Sequence, residues 1–259
     1  MKRRGLYTND LAHIHHAGFG GFARGAGPGL LRLLRRAGLR RGPLVDLACG
    51  SGLWAATAQR AGFDVIGGDI SPAMIRLAQR TAPGARFHRG SLYDFALPAC
   101  DVVTVLGEGL NYLPAHGREP DLGRLIAKVS RALRPGGMFI FDVMTAGGKP
   151  MNYQTWREGK DWAVWVQVTE QRRQRRLRRD IVTFLKRGAA YRRAGETHRM
   201  RLLARAEIER RLRRAGFDFR VMRCYGKMPL APRRLAFVAR KPRAGETEPG
   251  RAAFILPLP

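Results

Sequence analysis

The sequence predicts an α/β domain built on a doubly wound sheet. Short apolar segments alternate with helix-forming segments through residues 43–145, which is the pattern of strands joined by crossover helices. A glycine-bearing turn joins the first apolar segment to the first helical segment. The chain of 259 residues is also long enough to bury one sizeable core.

The first strand and helix flank the glycine turn. An apolar run at residues 43–47 precedes the turn at 50–52, and residues 53–60 read as a helix. Such a turn suits nucleotide-like ligands, because glycine lets a ligand touch the backbone and the helix start offers free N–H groups. Residues 50–55 also satisfy the dinucleotide pattern G-x-G-x-x-A. The glycines alone therefore leave the ligand open, and a turn that serves only packing is the alternative.

Two carboxylates narrow the choice of ligand. Asp46 lies four residues before the first glycine, where its charge would repel a pyrophosphate in the turn. A cationic ligand is favoured instead. Asp69 ends the next apolar run, residues 63–68, and is placed to accept hydrogen bonds from ribose hydroxyls. S-adenosylmethionine (SAM) combines a sulfonium, an ammonium and a ribose, so these residues predict SAM binding.

The remaining elements of the core follow in order. We predict a helix at 72–81, strands at 85–89, 101–106 and 138–142, and a helix that ends at Leu133 before the last of these strands. A helix at 204–215 and a hairpin from residues 218–225 and 234–240 would complete the sheet.

Four segments in order carry a family resemblance. D-L-A-C-G-S-G at 46–52 and G-G-D-I-S-P-A-M at 67–74 resemble motifs of the class I SAM-dependent methyltransferases. G-S-L-Y-D at 90–94 resembles the turn of that family that contacts adenine, and L-R-P-G-G at 133–137 precedes an apolar strand as it does there. The resemblance implies a Rossmann-like fold with a mostly parallel seven-stranded sheet. It also implies in-line methyl transfer to nitrogen or oxygen of a small metabolite.

The resemblance implies a set of cofactor-binding residues along the cavity of this fold. Ser91 would meet the adenine amino group, although the family more often has an acidic residue there, and the N–H of Leu92 would meet a ring nitrogen. The full expected set is Tyr7, Phe19, Asp46, Ala48, Gly50, Gly52, Asp69, Ile70, Met74, Ser91, Leu92 and Gly107.

The acceptor side is expected just after the fourth strand. Methyl transfer requires alignment, exclusion of water and, for a protonated nucleophile, removal of a proton. Glu108 lies at the carboxyl end of that strand, where ligands bind in open α/β sheets. It is our candidate proton acceptor or holder of a substrate ammonium, and contact with SAM or the turn is the alternative. Asn111 and Tyr112 are candidate substrate-binding residues.

The amino-terminal segment resembles a lid over the cofactor. His13, His15 and His16 cannot share one face of a helix, because residues one or two apart diverge. We therefore expect no three-histidine metal site and no bound metal. The hypothesis is that one of them, His15, faces the transferred methyl group; a surface or capping histidine is the alternative.

Residues 146–203 exceed what a simple crossover needs. Within them, 162–168, 178–187 and 191–203 read as three extended stretches. They predict an antiparallel flap that caps the substrate or joins two subunits as a homodimer. His198 is a candidate substrate-binding residue, and Glu196 shares its strand face because strand side chains alternate.

The predicted organisation has five parts. Residues 1–42 form the lid, 43–145 the SAM-binding core, 146–203 the cap insert and 204–242 the segment that completes the core. Residues 243–259, rich in Gly, Pro and charge, are expected to be a loosely attached tail.

Composition leaves two further functions open. The net charge of +28 suggests a polyanionic partner, but arginine so outnumbers lysine that codon bias explains much of it as solvated surface. We expect non-specific nucleic-acid affinity. An RNA methyltransferase using the basic surface is one alternative to a small-molecule enzyme, although the chain lacks an N-P-P-Y tetrapeptide. A non-catalytic SAM-binding accessory protein is the other.

Composition also predicts the compartment. The chain has no apolar run of membrane-spanning length and no signal-peptide pattern, so we expect a cytoplasmic protein without membrane attachment. Cys49, Cys100 and Cys224 are widely spaced, which predicts buried reduced thiols and neither disulfides nor a zinc site.

Overall fold

The computed structural model describes residues 6–114, 119–243 and 245–246. Its helices and strands alternate through the first half of the chain, as predicted. In chain order they are α1 (Asn9–Phe19), α2 (Gly21–Arg36), β1 (Gly42–Leu47), α3 (Leu53–Arg60), β2 (Phe63–Asp69), α4 (Pro72–Thr81), β3 (Arg86–Arg89), β4 (Cys100–Val105), α5 (Leu122–Ala132), β5 (Leu133–Met144), β6 (Tyr153–Gly159), β7 (Trp162–Gln171), β8 (Arg176–Arg187), β9 (Ala190–Arg201), α6 (Arg205–Arg214), β10 (Asp218–Met222), β11 (Cys224–Tyr225), β12 (Met228–Pro229) and β13 (Arg234–Arg240).

The central sheet has seven strands in the order β10-β13-β5-β4-β1-β2-β3. The strands from β5 to β3 are parallel, and β13 pairs antiparallel with both β5 and β10. The strand order reverses at β1 and β4, so the carboxyl ends of these strands open a crevice of the kind that holds ligands. The predicted Rossmann-like, doubly wound fold is confirmed.

Helices cover both faces of this sheet. α2 and α3 pack on one face with side chains such as Leu30, Leu34 and Trp54, and α5 and α6 pack on the other. Central strands are consequently apolar on both sides: Val102 and Val103 of β4 are both fully buried. α2, which lies within the segment 1–42 predicted as a lid, packs as part of this core.

Local sequence explains where several elements begin. Ser71 caps α4, because its Oγ accepts a hydrogen bond from the N–H of Met74 at 3.1 Å, and Pro72 occupies the first helical position. α5 ends at Ala132 and β5 begins directly at Leu133 rather than after the L-R-P-G-G turn. The ladder with β4 is interrupted there, since Cys100 pairs with Leu133 and Val102 pairs with Met138. The turn is therefore a bulge inside a longer strand.

The insert forms a four-stranded antiparallel sheet, β6-β7-β8-β9, which we call the flap. The three extended stretches predicted from sequence correspond to β7, β8 and β9, whereas β6 was missed because its side chains are all exposed and show no apolar alternation. Paired residues share a face, and Val164, Thr183 and Ala194 form one buried row on the inner side.

Helix α1 closes the space between the core and the flap. Leu11 and Ile14 pack against Val164 and Ile181 of the flap, while Ala12 packs against α4. Glu196 of β9 fixes the segment before α1. Its carboxylate accepts hydrogen bonds from the N–H groups of Tyr7 and Thr8, each at 2.7 Å, and from the Thr8 hydroxyl at 2.6 Å.

The carboxyl-terminal part completes the sheet with one addition. The predicted helix and hairpin correspond to α6, β10 and β13, but a small ribbon, β11-β12, interrupts the hairpin. Most of the predicted tail at 243–259 lies outside the described residues. Cys49 and Cys100 are buried free thiols, whereas Cys224 is only half-buried, contrary to expectation.

The described residues contain neither a membrane-spanning helix nor a group of potential metal ligands. Within them no helix has the length and apolar character needed to cross a bilayer. The same part of the chain brings no three histidine, cysteine or acidic side chains together as metal ligands.

A candidate cofactor and acceptor cavity

A cavity of about 740 Å³ opens at the carboxyl ends of β1, β2 and β4. Helix α1 and the inner side of the flap form its outer wall. Three residues that line it have the left-handed backbone that non-glycine residues rarely adopt: Tyr7 (φ 50°), Ala48 (φ 54°) and Glu108 (φ 66°). Such strain concentrates at functional sites, because the surrounding fold must hold it in place.

Asp46 presents an unused acceptor to this cavity. Trp54 Nε1 donates to Thr104 Oγ1 at 3.1 Å, and Thr104 Oγ1 donates to Asp46 Oδ1 at 2.7 Å. Its other oxygen, Oδ2, is buried and has no hydrogen-bond partner within the described residues. Burial raises the pKa of Asp46 to about 7, because the charged form loses its hydration. A cationic ligand beside Oδ2 would therefore stabilise the charged form of this carboxylate.

Asp69 is held by the backbone of the glycine turn. Its Oδ2 accepts from the N–H of Gly50 at 2.9 Å, and its Oδ1 accepts from the N–H of Ser71 at 2.8 Å. Burial raises the pKa of this carboxyl, and the N–H groups of Ser71 and Gly50 oppose that rise. A Cβ built on Gly50 would meet no atom within 4 Å. The turn thus leaves open space against its backbone beside a second acidic group.

These features fit SAM. The free oxygen of Asp46 suits an ammonium or sulfonium, Asp69 suits ribose hydroxyls, and the open space at Gly50 suits a ligand in contact with the backbone. The other expected residues that line the cavity are Tyr7, Phe19, Ala48, Ile70, Met74, Ser91, Leu92 and Gly107.

Gly52 is the exception among the expected cofactor residues. It does not line the cavity but caps the start of α3 with φ 76°. A Cβ there would lie 2.9 Å from Ala78 Cα of α4. Gly52 is therefore a packing glycine, needed for the approach of two helices and for its left-handed backbone.

We call the end of the cavity at Glu108, where the sequence predicts the methyl acceptor, the acceptor end. It contains a cluster of two negative and two positive side chains. Glu108 forms ion pairs with Arg179 at 3.0 Å and with Arg234 at 2.5 Å. Arg234 Nε lies 3.0 Å from Asp142 Oδ1, and Asp142 also accepts from the N–H groups of Gly107 and Glu108, each at 3.0 Å. Two carboxylates thus face two guanidinium groups, and both oxygens of Glu108 already form ion pairs.

A pair of tyrosines adjoins this cluster. The hydroxyls of Tyr7 and Tyr112 lie 2.8 Å apart, and both residues line the cavity. Burial raises the pKa of both phenols. His198 lies behind them, 1% exposed, with its ring centroid 4.9 Å from that of Tyr7 and its Nε2 2.9 Å from Glu196 Oε2. His198 therefore does not line the cavity but packs behind its wall. The prediction that it binds substrate directly is not supported by this position.

Asn111 is also not available to a substrate. It is fully buried, and its side-chain nitrogen donates to the carbonyls of Met144 at 2.8 Å and Arg201 at 2.6 Å. Its Oδ1 accepts from the N–H of Met144 at 2.9 Å. The amide is used to join the end of β5 to the flap, which corrects the substrate-binding interpretation.

The three histidines of α1 point in different directions, as their spacing predicts. His15 lines the cavity between Tyr7 and Phe19, and its Nδ1 is buried with no partner among the described residues. Burial lowers its pKa to about 4, so the ring is neutral at physiological pH. His16 Nδ1 lies 2.9 Å from Ser51 Oγ, and His13 is exposed.

Comparisons with known proteins agree with this geometry. A family model described as a methyltransferase domain matches residues 44–137. The magnesium-protoporphyrin O-methyltransferase of Rhodobacter capsulatus is 32% identical over 108 residues, which is 40% of this chain and 46% of that protein. The putative methyltransferase YqeM of Bacillus subtilis (strain 168) is 27% identical over 186 residues, 69% of this chain and 74% of that protein. The first of these matches thus spans about half of the relative.

Solved structures extend the similarity over most of the chain. The sugar N-methyltransferase KedS8 from Streptoalloteichus sp ATCC 53650 superposes with a TM-score of 0.75 at 21% identity, covering 94% of this chain and 97% of that one. A SAM-dependent methyltransferase from Clostridium acetobutylicum ATCC 824 also gives 0.75, at 18% identity, covering 90% and 98%. At these identities the solved structures show similarity of fold alone. The sequence relationship to methyltransferases rests on the domain match at residues 44–137. Residues 44–137 thus match a methyltransferase domain, and the chain has the fold of SAM-dependent methyltransferases, whose cofactor is S-adenosylmethionine.

Proposed function

We propose that this enzyme methylates an amine nitrogen of a small molecule, with an amino sugar as the favoured class of acceptor. The observation that carries the choice of nitrogen is the chemistry of the acceptor end, where the described residues offer no free base of useful strength. SAM supplies an electrophilic methyl group, so the protein must orient a nucleophile and exclude water.

The candidate bases at the acceptor end are each compromised. Glu108 is held between two guanidinium groups, so its carboxylate oxygens are already engaged in ion pairs. His15 has a pKa of about 4, too low for it to retain a proton near neutral pH. The phenols of Tyr7 and Tyr112 have raised pKa values and stay protonated.

A hydroxyl acceptor requires removal of its proton as the new bond forms, whereas an unprotonated amine attacks with its own lone pair. The acceptor end therefore suits an amine. We propose that Glu108 and Arg179 position the acceptor rather than remove a proton from it. The paired hydroxyls of Tyr7 and Tyr112 provide a further polar contact for orientation.

Relatives support the class of acceptor. The dTDP-4-amino-2,3,4,6-tetradeoxy-D-glucose N,N-dimethyltransferase of Saccharopolyspora spinosa is 31% identical over 142 residues, which is 53% of this chain and 55% of that protein. Its name specifies an amino sugar, as does that of the dTDP-3-amino-3,6-dideoxy-alpha-D-glucopyranose N,N-dimethyltransferase of Streptomyces fradiae, 24% identical over 140 residues.

The test is methyl transfer from isotopically labelled SAM to matched acceptors. Each pair consists of a nucleotide-linked amino sugar and the same sugar with a hydroxyl in place of the amine. We expect label only in the amino sugar. Label in the hydroxyl analogue would overturn the assignment to nitrogen, and label in neither, with SAM binding intact, would overturn the sugar class.

A further inference from the structure

One buried carboxylate of the flap holds the segment before α1. We call residues 6–19, which include α1, the lid. The Glu196 side chain is 4% exposed. Its Oε2 accepts from the N–H of Tyr7 at 2.7 Å, and its Oε1 accepts from the N–H of Thr8 at 2.7 Å and from the Thr8 hydroxyl at 2.6 Å. Both oxygens of a single flap residue are therefore engaged by the lid.

Glu196 carries its charge although it is buried. Burial raises the pKa of this carboxyl, but hydrogen bonds from His198 and Thr8 together outweigh burial and hold the pKa below its usual value. The carboxylate also lies at the amino-terminal end of α1, where the helix dipole favours negative charge. The flap thus presents an anion to the lid at a place where an anion stabilises the helix.

The backbone of Tyr7 is held from the core as well as from the flap. Ser71 Oγ donates to the Tyr7 carbonyl at 2.7 Å, while the Tyr7 N–H donates to Glu196. The φ of Tyr7 is 50°, a left-handed conformation that costs free energy in a non-glycine residue and persists only where the surroundings impose it. Glu196 and Ser71 impose it here, from opposite sides of the same residue.

The residue that is held in this way lines the cavity. Among Tyr7, Thr8, Ser71 and Glu196, only Tyr7 is part of the cavity wall. Its ring centroid lies 5.1 Å from that of His15, which also lines the cavity. Glu196 and Thr8 therefore have no direct contact with a ligand in the cavity, and they act on such a ligand by placing Tyr7.

We propose that Glu196 is a positioning residue of the cofactor cavity, which holds Tyr7 and the lid in the closed position that encloses SAM. Without this carboxylate the strained backbone of Tyr7 relaxes, and the lid populates open states. A ligand that requires the closed lid then binds more weakly, in proportion to the fraction of closed protein. It also leaves faster. The proposal concerns the methyl donor and is independent of the nature of the acceptor.

The experiment measures SAM binding by the full-length protein in two ways. Calorimetry gives the affinity, and a chase of labelled SAM with excess unlabelled SAM gives the rate of release. In Glu196→Gln the new NH₂ group faces the backbone N–H of Tyr7 or of Thr8, whichever way the amide is turned. We expect SAM to bind about tenfold or more weakly and to leave correspondingly faster.

Glu170→Gln is the matched control. Glu170 is another buried carboxylate of the flap, with a side chain that is 3% exposed. It accepts from the N–H of Met151 at 2.8 Å and forms an ion pair with Arg233 at 2.6 Å, and it does not line the cavity. This variant removes the same charge from the flap without loss of a contact to Tyr7 or Thr8. Its melting temperature should fall, while SAM binds as in the wild type.

A second pair of variants leaves every charge in place. Thr8→Val removes the hydroxyl that donates to Glu196 and keeps the shape of the side chain, whereas Thr8→Ser keeps the hydroxyl. We expect Thr8→Val to weaken SAM binding about three- to tenfold and Thr8→Ser to restore wild-type affinity. Hydrogen exchange of the SAM-bound protein should also be faster in Thr8→Val and Glu196→Gln at the amide of Tyr7, and unchanged in Glu170→Gln.

Four results would overturn the proposal. One is wild-type affinity and release of SAM in folded Glu196→Gln. Another is an equal loss in Glu170→Gln, which would assign the effect to the stability of the flap. The third is binding by Thr8→Ser that is as weak as that of Thr8→Val, and the fourth is a wild-type protein that does not bind SAM. Melting temperatures establish which variants are folded, and if Glu196→Gln is not, the two Thr8 variants decide.

Discussion

We predict that the unpaired oxygen of Asp46 makes SAM binding dependent on pH. Burial raises the pKa of Asp46 from 3.8 to about 7 in the ligand-free protein. A bound cation lowers it again, so a proton is released on binding at any pH between the two values. Affinity should therefore rise with pH by up to about tenfold per unit below pH 7, and then level off. The same shift makes the ligand-free protein lose stability as the pH rises from about 4 towards 7.

Asp46→Asn isolates this effect with little change of shape. The new Oδ1 still accepts the hydrogen bond from Thr104, while an NH₂ group replaces the unpaired oxygen. A hydrogen bond to a charged group contributes about 1.5 to 3 kcal/mol. The variant should therefore bind SAM about 10- to 150-fold more weakly at pH 7, and the pH dependence should be reduced.

Calorimetry from about pH 5.5 to 7.5 keeps the α-amino group of the ligand mostly protonated. S-adenosylhomocysteine retains that ammonium but lacks the sulfonium, and 5′-methylthioadenosine lacks both charges. A slope that persists for S-adenosylhomocysteine and disappears for methylthioadenosine would pair Asp46 with the ammonium. Wild-type affinity and slope in Asp46→Asn would refute the reasoning.

Four further changes test other parts of the molecule. Asp69→Ala should weaken SAM binding by about tenfold or more and lower the melting temperature, because two backbone N–H groups lose their acceptor; unchanged affinity would remove Asp69 from the site. Gly50→Ala should weaken SAM binding in calorimetry more than its control Gly62→Ala, which also has a positive φ (96° against 55° at Gly50) and open surroundings but lies outside the cavity. Glu108→Gln should lower turnover less than tenfold without moving the pH profile, whereas a loss of about 10²- to 10⁴-fold would make it the general base. The predicted homodimer is tested by sedimentation of Trp156→Asp, whose side chain is 62% exposed on the outer face of the flap; the wild type should be dimeric and the variant monomeric, and a monomeric wild type would contradict the dimer.

The spatial arrangement of residues at the predicted cofactor end could be predicted from sequence, because local chain geometry fixes it. Asp46 and Asp69 lie at the ends of adjacent parallel strands, so their position follows once the strands are recognised. The glycine turn follows from the strand-to-helix transition. Gly52 shows the limit of this reasoning, because a motif glycine can serve the ligand or the packing of a neighbouring helix, and only the position of Ala78 distinguishes the two.

The arrangement of side chains at the acceptor end depends on contacts between segments that are distant in sequence. Local sequence patterns do not predict such contacts. Arg179 belongs to an arginine-rich run that we interpreted as solvated surface. Its alternation with Leu177 and Ile181 was the available signal, because all three share the inner face of β8. Arg234 had no such signal, since its partner Glu108 is far away in the chain and meets it only through the antiparallel strand β13.

The two ends of the cavity differ in how their charges are compensated. We infer that this difference determines which charged form of the donor and of the acceptor each end favours. At the cofactor end, no basic side chain in the described structure forms an ion pair with Asp46 or Asp69, so their negative charge favours a cationic ligand. At the acceptor end, the carboxylates are balanced by Arg179 and Arg234, and little net charge is left to attract a protonated amine. A protonated amine cannot accept a methyl group, because it has no free lone pair. For the amine acceptor proposed above, a balanced cluster would avoid stabilising the unreactive protonated form, while the unbalanced acids would favour the cationic donor.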